Sequence, residues 1–261
     1  TLAAYYRTLA NFFRATHLPL EKVSTNDIRL YLFRYKSSRN VKDCTLDGLR
    51  TILNSFFTWC VDEEMIAKNP VRRVERIKGA DSERLPMTAL ELEIVRQHCE
   101  TLREKAMVDF LYSSAARVSE FAALNKSDIN WLEHTVRIRH GKGDKARTTF
   151  LNAEAEVSLK AYLASRQDDS DALFVTIRAP HHRMGVKSIQ DEINEIVSRC
   201  SISVHVTPHI FRHTAASLAL QRGMPIDQVQ RFLGHAKIET TLRYAKLLNT
   251  DVKASHGKYV A

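Results

Sequence analysis

Thr207-Pro208-His209-Ile210-Phe211-Arg212-His213, then Leu233-Gly234-His235, then Thr240-Thr241-Leu242-Arg243-Tyr244, form the stretch whose reading decides the fold. Thr207-Pro208 places an N-cap residue before proline at the first helical position, where the missing N–H costs nothing and φ is already set. The pattern predicts a helix from Pro208 to about Arg222, stopped by Gly223. His209 and Arg212 stand at i and i+3 near its N-terminus, where free N–H groups and the helix dipole favour phosphate. A second helix, about Ile226 to Leu233, closes at Gly234 and hands the chain to His235. The next helix carries Tyr244.

Upstream, Thr135-Val136-Arg137-Ile138-Arg139 alternates with period two, and Gly141-Lys142-Gly143-Asp144 turns it into Arg147-Thr148-Thr149-Phe150-Leu151. That is a β-hairpin. Around it lie helical stretches: Thr88 as a cap for a helix to about His98, Arg103 to Tyr112, Ala153 to Ser165, and segments after about Ser188. The first part of the chain reads as helices throughout. Leu2, Tyr5, Tyr6, Leu9, Phe12 and Phe13 recur at steps of three and four, the stripe of a helix burying one face. Ser24-Thr25-Asn26-Asp27 offers cap chemistry ahead of Ile28 to Phe33, and Thr45 to Asp62 is a third amphipathic stretch. Asn69-Pro70 breaks the pattern, and a charged connector, Val71 to Gly79, follows. The expected fold is therefore mainly α with a small antiparallel β-sheet, in two domains, 1–79 and 80–261.

Composition agrees. The chain has 261 residues, 44% hydrophobic and 26% charged, with 8 Gly and 6 Pro, which argues against loop-rich all-β architecture and low complexity. No apolar run approaches the ~20 residues of a membrane span. Cys44, Cys60, Cys99 and Cys200 lie far apart with no C-x-x-C pair, which favours reduced thiols over zinc or disulfides. The chain opens Thr1-Leu2-Ala3-Ala4 without Met, as expected of a trimmed chain with room for a module ahead of it. The net charge is +9, and residues 1–80 hold 14 basic and 8 acidic residues. A basic surface of this kind suits nucleic acid, an acidic membrane or plain solubility.

Four separated motifs belong together: Ala115-Ala116-Arg117-Val118-Ser119-Glu120, Gly141-Lys142-Gly143, His209 to His213, and Leu233-Gly234-His235 with Tyr244 nine residues on. Their order and spacing resemble the tyrosine recombinase/integrase family, which joins phage integrases, Xer-type recombinases and integrases of conjugative transposons. The resemblance spans nearly the whole chain: a helical core-binding domain followed by a catalytic domain that ends shortly after the tyrosine. It departs at Ala115, where the family usually has Gly, and at Phe121, where it usually has Leu.

Transesterification at a DNA phosphate needs a nucleophile, cations for the phosphorane oxygens and a proton for the leaving 5′-oxygen. No carboxylate cluster suits two metals, so neither metal nor cofactor is expected. Arg117, Arg212, Lys142 and two histidines form a cationic set for the task, arginine because its planar fork donates paired bonds to phosphate. By resemblance, Tyr244 attacks to give a 3′-phosphotyrosyl link, and Arg117 and Arg212 hold the non-bridging oxygens. His209 and His235 help with charge and proton transfer, Lys142 protonates the leaving oxygen, and Glu120 supports the cluster. Each residue also has an ordinary reading. Tyr244 could be a packed helical side chain, Arg117 with Glu120 an i,i+3 salt bridge, and Gly141-Lys142-Gly143 a plain turn. His209 and His213 have zinc-compatible i,i+4 spacing, but Ile210 stands where a metalloprotease helix needs Glu, and His213 reads as structural.

Arg29, Arg34, Lys36, Arg39, Lys42 and Arg50 concentrate positive charge around the second helix and the start of the third, a candidate phosphate-binding face. The resemblance implies double-stranded DNA core sites as substrate, a homotetramer on two duplexes, and strand exchange through a Holliday junction. It further implies that the tail, 245–261, docks on the neighbouring protomer, with Thr250-Asp251 capping a short final helix. The expected setting is the bacterial cytoplasm, on the nucleoid, in integration and excision of a mobile element. Rival readings are a Xer-type recombinase resolving chromosome dimers, a type IB topoisomerase, and a non-catalytic DNA-binding protein.

Overall fold

In the computed structural model, which describes residues 2–77, 85–139 and 146–247, the chain divides into two units, Thr1–Glu83 and Arg84–Ala261. The first unit packs three helices on one another: α1 (Leu2–Thr16), α2 (Thr25–Arg39) and α3 (Asp43–Asp62). Ser24 caps α2 through a reciprocal box, its hydroxyl taking the Asp27 N–H while the Asp27 carboxylate takes the Ser24 N–H. Phe12 is fully buried at the centre, edge-on to Tyr31 at 5.1 Å and to Phe57 at 6.1 Å. Such pairs add about 0.5–1.5 kcal/mol to the area they bury.

The α1 stripe is narrower than its sequence predicts. Thr8 and Phe12 are buried, while Leu2 and Tyr6 are 87% and 78% exposed. Tyr6 lies two residues before Thr8, about 160° round the helix, so both cannot face the same partners. Phe33 of α2 is likewise 68% exposed.

The second unit is built around α5 (Leu102–Ser114), which follows α4 (Ala89–Gln97). Ala106, Met107, Val108, Phe110 and Leu111 are all fully buried, so the middle of α5 is enclosed on every side and must be central. Its two buried acids are paired: Asp109 accepts from Arg96 at 2.7 Å and Glu104 from Arg199 at 2.8 Å. Then come α6 (Val118–Ala123) and an antiparallel sheet, β1 (Ile129–Asn130), β2 (Thr135–Ile138) and β3 (Arg147–Phe150), in the order β1-β2-β3. Val136 pairs with Thr149 and Ile138 with Arg147, so the alternation in β2 puts Val136 and Ile138 into the core. β1 is not legible in the sequence, because two residues are too few for alternation to register.

Helices α7 (Ala153–Ser165), α8 (Val186–Ser198), α9 (Pro208–Gln221), α10 (Ile226–Leu233) and α11 (Glu239–Leu247) complete the unit, with α7 and α9 packed on α5. Thr207 stands at the N-cap of α9 in extended geometry, but its hydroxyl makes no cap bond and is buried without a partner. Pro208 with its fixed φ sets that start instead. Among the described residues no helix is long and apolar enough to cross a membrane. Lys142 and the tail beyond Leu247, Thr250-Asp251 included, lie outside the described residues.

Ala115 ends α5 at φ 47° and ψ 29°, fully buried against α9, α10 and Tyr244. Left-handed geometry costs a non-glycine residue roughly 1–2 kcal/mol. A buried methyl group returns about 0.8, and glycine's extra unfolded-state entropy is worth about 0.5–1 kcal/mol. These nearly cancel, so Ala115→Gly should leave the melting temperature within about 4 °C. Ala115→Val combines β-branching at positive φ with overpacking and should destabilise by about 3 kcal/mol or more. Thermal melts of the two variants decide; a well-folded Ala115→Val would show that the turn is not constrained as described.

Candidate active site

The left-handed turn at Ala115 points its carbonyl at α9, where Arg212 is 1% exposed. Arg212 Nη1 donates to Ala115 O at 2.7 Å, and Nη2 donates to Leu233 O at the end of α10. Its charge is also close enough to Tyr244 to oppose the upward push of burial on that hydroxyl. The predicted i,i+3 pair of His209 and Arg212 therefore splits, the arginine facing inward and the histidine outward.

Arg117 is the N-cap of α6 rather than a residue within it, and Glu120 is its N3 partner. Glu120 is buried and holds three donors: Arg117 N at 2.8 Å, Arg117 Nη1 at 2.7 Å and Arg147 Nη2 at 2.8 Å. Burial acts to raise the Glu120 carboxyl, but the Arg117 N–H and the two guanidinium charges hold it below the ordinary carboxylate range. Arg147 was not legible as a site residue. Its place at the head of a strand reads only as a β signal, and its partners lie 27 and 85 positions away in the chain.

Tyr244 is 4% exposed. Its ring lies parallel to that of His235, centroids 6.2 Å apart, and edge-on to that of His213 at 5.0 Å. His213 Nε2 stands 3.0 Å from His209 Nε2. His213, read from sequence as structural, thus links His209 to the tyrosine. His235 is half-buried, with Nδ1 2.9 Å from the hydroxyl of fully buried Thr241, another residue the sequence reading passed over.

The structure thus brings together Arg117, Glu120, His209, Arg212, His235 and Tyr244, and adds Arg147. Three guanidinium groups face one carboxylate. Burial first, then repulsion from Arg117 and Arg147, brings Arg212 down to about 10. Burial and the same arginines push His235 down to about 4, so it is neutral at physiological pH. Burial raises the Tyr244 hydroxyl while the charges of Arg212 and Arg117 pull the other way. Like charges a few ångströms apart repel by a few kcal/mol at an effective dielectric near 20. An anion placed here relieves that repulsion, and a phosphate diester beside a tyrosine hydroxyl is chemically poised for phosphoryl transfer. Among the described residues no group of three or more His, Cys, Asp or Glu forms a metal site.

The basic residues of the first unit are less uniformly available. Arg50 is tied to Asp47 at 2.8 Å and only 16% of its side chain is exposed. Lys36 pairs with Asp43 at 2.6 Å, Arg29 donates to Arg73 O, and Arg39 lies over the Tyr35 ring. Arg34 lines a groove with Arg14 and Arg39, and Lys42 stands at the N-cap of α3.

Comparison with known proteins accords with this geometry. A model of the phage integrase family matches residues 75–250. The chain is 33% identical over 253 residues to tyrosine recombinase XerC of Chlamydia trachomatis serovar L2, covering 89% of this chain and 76% of that protein. It is 30% identical to tyrosine recombinase XerD of Ralstonia nicotianae, covering 82% and 73%. Among solved structures, the Tn1549 transposon integrase in complex with transposon right end DNA aligns with a TM-score of 0.80 at 17% identity, over 98% of this chain and 93% of that one. A lambda integrase dimer bound to a COC′ core site aligns at 0.77 and 18%, over 96% and 89%. At such identities the structural likeness is one of fold.

The electrostatics make a pH prediction. An unfolded histidine protonates near 6.5, whereas folded His235 resists protonation down to about 4. Between those values the unfolded chain binds the extra proton, so this contribution to stability is present above about pH 6.5 and lost as the pH falls. In an NMR titration the His235 ring should give the lowest histidine midpoint, and His235→Gln should flatten the fall in melting temperature over that window. An ordinary midpoint near 6.5 would contradict the cationic environment.

Proposed function

The chain belongs to the phage integrase family, and on that premise we propose that it is a site-specific DNA recombinase that breaks and rejoins DNA through a 3′-phosphotyrosyl intermediate. The observation that carries this reading is the buried Tyr244, set beside Arg212 within a group of three arginines that share the single carboxylate of Glu120. Tyr244 O forms a bond to phosphorus and loses its proton, and the P–O5′ bond breaks to leave a 5′-hydroxyl. Arg117 and Arg212 neutralise the non-bridging oxygens as charge builds on them. His235, neutral with Nδ1 facing Thr241, and His209 assist charge and proton transfer, and Lys142 supplies the proton for the 5′-oxygen. The energy of the diester stays in the protein–DNA bond, so rejoining needs no ATP.

The finer reading is that four copies act on two duplexes, through a Holliday junction, to integrate and excise a mobile element in the bacterial cytoplasm. The tail 245–261 would dock on a neighbouring protomer. The match of residues 75–250 to the phage integrase family supports the integrase reading. One observation favours the other biology, a Xer-type recombinase resolving chromosome dimers: the chain's relatives include tyrosine recombinases XerC and XerD. A type IB topoisomerase would relax plasmids lacking any specific site, and a non-catalytic DNA-binding protein would form no covalent adduct.

Tyr244→Phe keeps the packed ring but removes the nucleophilic oxygen. On a nicked, end-labelled site it should bind as the parent does and form no covalent adduct on a denaturing gel, a loss of at least about 10³-fold. The parent should form its adduct in excess EDTA, because side chains supply the cationic charge. An adduct in the variant would place the nucleophile elsewhere.

A further inference from the structure

We propose that Arg147 is a positioning residue of this site, a single guanidinium fork that fixes Arg117 through Glu120 at one end and the Gly234–His235 corner at the other; the inference rests on the recombinase reading above. At one end Arg147 Nη2 donates to Glu120 Oε2 at 2.8 Å, leaving Glu120 Oε1 for Arg117 Nη1. The carboxylate is thereby pinned on both oxygens, and so is the guanidinium it carries. At the other end Nη1 donates to Phe232 O at 3.1 Å, one residue before the carbonyl that Arg212 holds.

The strand that bears Arg147 is itself anchored. Fully buried Thr149 donates its hydroxyl to Ser114 O at 2.6 Å, next to the Ala115 turn. The α10 corner is shaped to admit the side chain. At Gly234, φ +63°, a Cβ would stand 2.5 Å from Arg147 Cδ and 3.0 Å from Nε. Gly234 therefore meets two needs, the left-handed cap and the passage of Arg147. The Arg147 side chain is 12% exposed, which makes it a framework group more than a surface cation.

Lysine cannot replace this fork, because one ammonium cannot sit between two acceptors on opposite arms. Removing Arg147 also changes the electrostatics of Glu120. Arg117 from α6 and Arg212 from α9 still face the carboxylate, but the charge from β3 is gone, so its protonation moves to higher pH.

The test is single-turnover cleavage of a nicked site at saturating DNA, with binding measured separately and folding checked by near-UV circular dichroism. The parent and Tyr244→Phe serve as controls: a parent that forms no adduct sinks the recombinase reading itself. Given an active parent, Arg147→Ala should cleave about 100-fold and Arg147→Lys about 10-fold more slowly, the scale of a 1 Å misplacement. DNA half-saturation should stay within about 3-fold, and the acid limb of the cleavage profile should move to higher pH in Arg147→Ala. If Arg147→Ala does not fold, Arg147→Lys carries the test by the same rate and binding criteria. Parental cleavage rates at saturation overturn the proposal. So does a loss confined to half-saturation, which would make Arg147 a phosphate ligand, and so does an unmoved acid limb in a folded Arg147→Ala.

Discussion

The buried guanidinium of Arg212 is the group around which the second unit is arranged. Isolated, such a charge would be expelled from a protein interior. Here it lies between two helix C-termini, donating to Ala115 O at the end of α5 and to Leu233 O at the end of α10. Helix C-termini carry partial negative charge and unsatisfied carbonyls, so each end supplies what the cation lacks and the cation satisfies what each end lacks. The left-handed turns at Ala115 and Gly234 follow from the same requirement, because a chain that leaves a helix there can cap its last carbonyls while exiting sideways. One exit leads to Arg117 and the other to His235.

Around that centre the bonds close into a ring: Ala115 to Arg212, Arg212 to Leu233, Phe232 to Arg147, Arg147 to Glu120, and Glu120 to Arg117, two residues from Ala115. The ring draws on α5, α6, β3, α9 and α10. Distant parts of the chain hold one another through hydrogen bonds to charged groups, each worth about 1.5–3 kcal/mol. Its imbalance of charge opposes that stability. A structure selected for stability alone would neutralise the arginines; this one leaves the surplus facing the tyrosine.

What the sequence disclosed and what it hid divide along physical lines. Helix limits were legible because proline, glycine and capping residues act locally: Pro208 and Gly234 bound α9 and α10 closely as their types dictate. The candidate site was legible through motif spacing, since Arg117, His209, Arg212, His235 and Tyr244 do converge. Arg147, Thr241 and His213 were not, because their roles come from partners brought in by tertiary packing. The exposure of Tyr6 and the neutralisation of Arg50 depended on local geometry that was partly readable. Asp47 stands three residues before Arg50, the spacing of a helical ion pair.

The cationic surplus also decides how proton transfer is timed. His235 is held neutral first by burial and then by repulsion from Arg212, Arg117 and Arg147. An anion bound among those arginines cancels part of that repulsion, so occupancy of the site raises the basicity of His235 without any movement of the chain. The same anion acts on Tyr244 in the opposite sense for catalysis, since negative charge disfavours a free phenolate. On the proposed reading, loss of the phenolic proton would be easiest when it keeps pace with bond formation to phosphorus, as charge would pass from the tyrosine oxygen to phosphoryl oxygens held by the arginines. A site with surplus arginine, a neutral histidine and a buried tyrosine is thus electrostatically incomplete until phosphate enters it.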